Sequence, residues 1–202
     1  MAIERIIIGS TNPGKVSEWK KLLRSLEVRS IADIGNFPEP EETGSTFKEN
    51  AILKAKHYAK LSHEFVLADD GGFEIDALNG APGVKSRRIL PGDKDGTDQE
   101  LVDFVLDKMK NVPEEKRTAH LTAYAALADK DGKIIFEDTS RKDGVITNEL
   151  EAPIISGYPY RSILYLPEVK KTYAELSDQE HERLNHRREI AKRLLDFRNK
   201  FV

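Results

Sequence analysis

The sequence predicts an α/β protein, and three stretches carry that prediction. Ile3 and Ile6–Ile8 form a β-branched run that ends in a turn-like Ser-Thr-Asn-Pro-Gly and passes into a helical pattern, the strand, loop and helix that open an α/β unit. A second helical pattern leads into the apolar run Phe65–Ala68, with Asp69-Asp70-Gly71-Gly72 immediately beyond it. Residues 119–128 and 134–139 flank a polar turn at 129–133 and read as paired strands.

The other elements follow in order. Lys15 to Leu26 reads as a helix whose apolar side is Val16, Trp19, Leu22, Leu23 and Leu26. Residues 35–46 are rich in Gly, Pro and acidic groups and form a long connection. A helix then runs from Phe47 to about Leu61, opened by Thr46 and Glu49 at capping-box spacing. Phe73–Ala77 reads as another short strand, Gln99–Met109 as a helix, and Val145-Ile146 and Ile163–Leu166 as extended segments. A last helix spans Asp178 to about Asn199 and begins at the capping pair Ser177 and Glu180. With no internal repeat and no flexible linker, residues 1–202 read as one α/β domain with two closely associated lobes.

Composition narrows the function. The 202 residues carry 32 Lys+Arg against 35 Asp+Glu, a net charge of -3, which argues against a broad nucleic-acid surface and leaves room for a local phosphate pocket. The absence of Cys excludes a disulfide framework, Cys-ligated zinc, iron–sulfur clusters and a thiol nucleophile. No apolar stretch approaches the roughly 18 residues of a membrane span, and the start lacks the features of a signal peptide, so a cytoplasmic protein without a membrane partner is expected.

Four places can carry chemistry. Gly9 to Lys15, Gly-Ser-Thr-Asn-Pro-Gly-Lys, has the spacing of a phosphate-binding loop after a strand, but Val16 stands where a Ser or Thr would hold magnesium. Ser10, Asn12 and Lys15 still offer a hydroxyl, an amide and a cation; the same residues equally suit a plain strand-to-helix turn. Asp69 and Asp70 suit a hard divalent ion, with Asp70 the inward group because it lies nearer the break in the strand; a turn accounts for the pair as well. Glu49 is a capping residue that could also present a metal ligand from the first turn of its helix, whereas Lys54 and Lys56 read as solvent-facing. Arg87 and Arg88 form a basic patch with Lys85 that suits phosphate oxygens or simple solvation.

Taken together the motifs resemble the inosine/xanthosine triphosphate pyrophosphatase family. The ordered set is Ser10–Lys15, Glu42–Lys56, Ala68–Gly71, Leu78–Val84, Lys171–Leu176 and His186-Arg187, which covers nearly the whole chain. The resemblance implies an elongated two-lobed α/β fold with a central mixed β-sheet and flanking helices, and a homodimer. It also implies hydrolysis of ITP, dITP and XTP to monophosphate and pyrophosphate with Mg2+. By the same resemblance Ser10, Thr11, Asn12, Pro13, Gly14 and Lys15 hold substrate phosphate, with Lys15 also serving catalysis. Glu49 and Asp70 organise the metal, and Asp70 accepts a proton. Gly71 offers its backbone donor, and Arg87, Gly157, Tyr158, Lys171, His186 and Arg187 complete the nucleotide pocket.

One segment departs from that family. Where an aromatic–Gly–aromatic–Asp–Pro sequence is expected, this chain has Ser156-Gly157-Tyr158-Pro159, and the length before Leu166-Pro167 differs. The reaction is therefore better specified than the base. The alternatives are a pyrophosphatase for another modified or ordinary nucleotide, and a nucleotide-binding regulatory protein that has lost catalysis.

Overall fold

The structure, a computed structural model, describes residues 3–201. Strand β1 (Arg5–Ile8) leads to helix α1 (Pro13–Leu22) and strand β2 (Glu27–Ser30); helix α2 (Phe47–Ser62) leads to strand β3 (Val66–Ile75) and the short β4 (Pro82–Gly83). Helix α3 (Asp98–Met109), the long strands β5 (Thr118–Ala128) and β6 (Ile134–Ile146), and the short β7 (Leu164–Leu166) and β8 (Lys171–Thr172) follow, then helices α4 (Asp178–Leu184) and α5 (Arg188–Arg198). The sheet is mixed: β1 pairs in parallel with β2 and β3, while β4 on β3, β7 on β6 and β8 on β7 are antiparallel. Strand order is β2-β1-β3-β5-β6-β7-β8, with helices flanking it, the expected α/β architecture. No described helix is long and apolar enough to cross a membrane.

The chain forms two compact units, the first from Met1–Gly71, Ala123–Ser140 and His186–Val202, the second from Gly72–Thr122 and Arg141–Asn185. Alternation along the strands builds the first unit. Ile6, Ile8 and Leu67 pack with Trp19 of α1, Leu23 at its C-terminal cap, and Ile190 and Leu194 of α5. Ile7, Val66 and Ala68 point the other way, against Ala51, Ala55, Tyr58 and Ala59 of α2. β1 and β3 approach so closely that a Cβ on Gly9 would stand 2.8 Å from Val66. In the second unit, Phe73 and Ile75 share a core with Leu101, Val102, Val105 and Met109 of α3 and with Tyr160, Leu164 and Tyr173.

Four sequence expectations are corrected. The α1 pattern stops at Leu22, and residues 27–30 form β2, an edge strand whose exposed Glu27 and Arg29 hide its identity. β3 does not end at Ala68 but runs on through Asp69-Asp70-Gly71-Gly72 to Ile75, so there is no break beside Asp70. β6 is a single strand covering both 134–139 and 145–146. The last helix is two: Asn185 takes an extended conformation after α4, and the chain turns His186 and Arg187 inward before α5 begins.

Candidate active site

Strand alternation decides what each carboxylate of β3 meets. Leu67 faces α1 and α5 and Ala68 faces α2, so Asp69 falls on the first side and Asp70 on the second. Asp70 Oδ1 accepts a hydrogen bond from Lys54 Nζ at 3.0 Å, and Oδ2 accepts one from Asn50 Nδ2 at 3.3 Å, both donors standing on α2. Lys54 is buried, not solvent-facing as its sequence context predicts, and its ammonium also donates to Glu42 Oε1 at 2.9 Å. Burial acts to lower the Lys54 pKa, but the charges of Asp70 and Glu42 outweigh it and raise the value above the ordinary lysine range. Lys56 is exposed, as expected.

Glu42 and Lys54 are the residues that sequence reasoning missed. Glu42 sits in an acidic, Pro-rich connection with no periodicity, so only the fold shows that it shares an ammonium with Asp70. Glu49 is an exposed capping residue: its Oε2 accepts from Ser45 N at 2.7 Å, Ser45 Oγ at 2.8 Å and Thr46 N at 3.2 Å. The Ser45 side-chain and backbone bonds, with those from Thr46, hold its carboxyl below the usual range.

The loop after β1 is built by its own cap. Asn12 Oδ1 accepts from Gly14 N at 2.9 Å and Lys15 N at 3.2 Å, Ser10 Oγ accepts from Asn12 N at 3.2 Å, and Pro13 takes the first position of α1. Thr11 is exposed and its hydroxyl donates to Glu39. Lys15 reaches back toward β3, with Nζ 3.4 Å from the Asp69 carbonyl and 3.5 Å from Asp69 Oδ2. Burial is the main force lowering the Lys15 pKa; Asp69 opposes it, and the positive charges of Lys54 and Arg187 reinforce it.

Arg187 lies on the same side as Asp69, buried, with its Nε and Nη2 donating to Asp69 Oδ2 at 3.0 and 2.9 Å. Its Nη1 donates to Glu18 Oε2 at 2.9 Å and stands 2.7 Å from His186 Nε2. Burial pushes the Asp69 pKa up, yet Arg187, Lys15 and Lys54 together with the Trp19 indole hold it far below the carboxylate range. Gly71, half-buried, is the last residue of this unit on β3.

The remaining sequence-predicted residues belong to the second unit. Arg87 is exposed and bonded: it pairs with Asp98 and donates from Nη2 to the Gly96 carbonyl at 3.0 Å. Gly157 has a φ of +80°, and its N–H donates to Asp98 Oδ2 at 2.7 Å, so one carboxylate serves both residues. The ring of Tyr158 carries the guanidinium of Arg161 at 3.8 Å. The altered segment closes on Tyr160, which stacks on Phe73 with centroids 4.8 Å apart and donates its hydroxyl to the Ser86 carbonyl at 2.6 Å. Lys171 Nζ pairs with both oxygens of Glu180 at 2.9 and 2.8 Å; that lysine, with the Ser177 backbone, holds Glu180 at about 2.

The Ham1 family profile matches residues 6–197. The chain belongs to the Ham1 family. It is 40% identical over 199 residues to the dITP/XTP pyrophosphatase of Leuconostoc mesenteroides, covering 94% of this chain and 96% of that one. It is 39% identical over 196 residues to the protein of the same name from Bacillus subtilis, covering 95% and 96%. Among solved structures, the Staphylococcus aureus Ham1 protein superposes with a TM-score of 0.81 at 31% identity, covering 98% of this chain and all of that one. A HAM1 protein from Coxiella burnetii gives 0.78 at 34% identity, covering 95% and 98%. These solved structures share its mixed-sheet α/β architecture.

Proposed function

We propose that this Ham1-family chain is a pyrophosphate-releasing hydrolase of non-standard purine nucleoside triphosphates, dITP, ITP and XTP, which it converts to monophosphate and pyrophosphate. The observation that carries this reading is near full-length identity of 37–40% to proteins named dITP/XTP pyrophosphatase. The first unit supports it with a cationic and carboxylate cluster on β3 and α2 of the kind triphosphate chemistry needs.

The donor chemistry fits magnesium. Among the described residues no group of three or more His, Cys, Asp or Glu is arranged to hold a metal, so two carboxylates and substrate oxygens would share the work, as hard divalent ions allow. Asp70 and Glu42 already converge on one positive centre, the Lys54 ammonium. Glu49, the partner expected from sequence, has Oε2 engaged in its cap. Our reading therefore pairs Asp70 with Glu42. Bound there, magnesium would neutralise and align the triphosphate. Lys15 and Lys54 supply positive charge to phosphate oxygens, and Asp70 accepts the proton of the water that attacks the α-phosphorus as pyrophosphate leaves. Ser10 through Gly14, Gly71 and the His186-Arg187 pair join this phosphate and nucleotide set in the first unit. Arg87, Gly157, Tyr158 and Lys171 are proposed nucleotide contacts of the second. Homodimer assembly and a cytoplasmic setting belong to the same reading, supported by the sequence resemblance; sedimentation across protein concentrations checks the first.

One observation favours a second reading on base choice. The Ser156–Pro159 departure is built into the fold by Tyr160, which supports a pyrophosphatase of the same chemistry acting on a different base. A product assay with dITP, ITP, XTP and the ordinary nucleotides, resolving monophosphate, phosphate and pyrophosphate, tests both. Selective pyrophosphate release from the inosine and xanthosine nucleotides is expected. Selectivity for another base moves the assignment to the second reading, and nucleotide binding without product overturns hydrolysis.

A further inference from the structure

Asp69 and Glu18 hold no place in the hydrolysis just described, yet they are among the most enclosed charges in the chain, at 1% and 9% exposure. Lys15, Glu18 and Trp19 stand at i, i+3 and i+4 on α1, so one stripe of that helix offers an ammonium, a carboxylate and an indole N–H to β3. Asp69 Oδ1 accepts from the Trp19 indole at 3.0 Å, which fixes the carboxylate plane. Its Oδ2 then takes two guanidinium nitrogens of Arg187, while Glu18 takes a third. Two buried anions thus meet the buried Arg187 guanidinium and the half-buried Lys15 ammonium.

We infer that Asp69 and Glu18 are positioning residues for the pyrophosphatase reaction: together they hold the Arg187 guanidinium in one orientation, and Asp69 also holds the Lys15 ammonium beside β3. The inference rests on the proposed function, since it takes Lys15 and Arg187 as substrate-binding groups. A guanidinium gripped along two edges keeps its plane, which a single ion pair does not ensure. Buried ion pairs are seldom more stabilising than apolar residues of the same size, so orientation accounts better for this arrangement than stability does. Strand alternation also separates Asp69 from a role like that of Asp70, because the two face opposite sides of β3.

The test is a double-variant cycle on the full chain, measuring pyrophosphate release from dITP with magnesium, with circular dichroism and thermal unfolding to confirm the fold. Glu18→Gln should raise KM about tenfold and change kcat less than about twofold. In an Arg187→Met background the same change should have less than about a twofold effect, because the group it orients is gone. Equal effects in both backgrounds, or an unaltered KM in folded Glu18→Gln, would overturn the inference. Arg187→Lys, which keeps charge but loses the fork, guards against a folding failure: a KM defect close to that of Arg187→Met is expected, and recovery of the native KM counts against the proposal. Unmodified protein that releases no pyrophosphate from any nucleotide removes the proposed function and this inference with it; active protein with unaffected variants removes the inference alone.

Discussion

Asp69 and Asp70 are the same residue type, adjacent on one strand, and they live in different electrostatic surroundings. Asp69 faces α1 and the Arg187 turn, where an indole, a guanidinium and an ammonium surround it at 1% exposure. Asp70 faces α2, where Lys54 and Asn50 meet it and where Glu42, bonded to the same lysine, has a side chain that is 44% exposed. Here the pleat points them apart and each meets its own cation, so one strand serves a sealed scaffold on one side and, on the other, a buried Asp70 whose lysine is shared with the exposed Glu42.

The substitution that should separate the two faces most widely is Asp70→Asn, expected to lower kcat about 1,000-fold in pyrophosphate release while the fold is retained. A pure, folded variant with near-native turnover removes Asp70 from proton transfer. Lys54→Met comes next, since it strips the cation from the α2 face alone. It should lower kcat/KM about 100-fold and cost about 3 kcal/mol in urea unfolding, because Asp70 is left buried beside an amide.

On the other face, the effect is on stability against pH. The Asp69 carboxyl is held far below its ordinary value, so its contribution is present in full at neutral pH and is lost as pH falls below about 4 and continues into strong acid. Asp69→Asn should flatten that acid limb in thermal unfolding profiles; an unchanged limb would mean that other carboxylates set it. The smallest effect sharpens the metal reading. Glu42→Gln should raise the magnesium concentration for half-maximal activity about tenfold, and Glu49→Gln should leave it within about twofold. The reverse pattern would return the metal to Glu49.

Much of this was legible because the apolar pattern of a short parallel strand is local. Ile6–Ile8 and Phe65–Leu67 declare themselves by β-branched and aromatic content, and the Thr46 and Ser177 caps by spacing. What escaped depends on distance in sequence. β2 is an edge strand with charged residues; Glu42 gains meaning only through Lys54, and Lys54 only through Asp70, 16 residues away. Reading a break after Ala68 had a physical cause, since Asp-Asp-Gly-Gly is turn chemistry. The strand nevertheless continues through it to Ile75, with each aspartate paired to a cation on its own side. The break between α4 and α5 was hidden for the opposite reason, as Asn185-His186-Arg187 looks like an ordinary polar face until its side chains are seen buried.

The contact between Arg187 and Asp69 joins residues 118 positions apart. On a ribosome adding about 5–20 residues per second, the strand that carries Asp69 exists for some ten seconds before its guanidinium is made. During that interval α1 and β3 can form, but Glu18 and Asp69 both lack the guanidinium that pairs with them, and Asp69 has the Lys15 ammonium and the Trp19 indole in its place. The first unit therefore closes on a segment synthesised long after β3, and a product that stops short of residue 187 retains the motifs around β1 and β3 without the charge that binds them together.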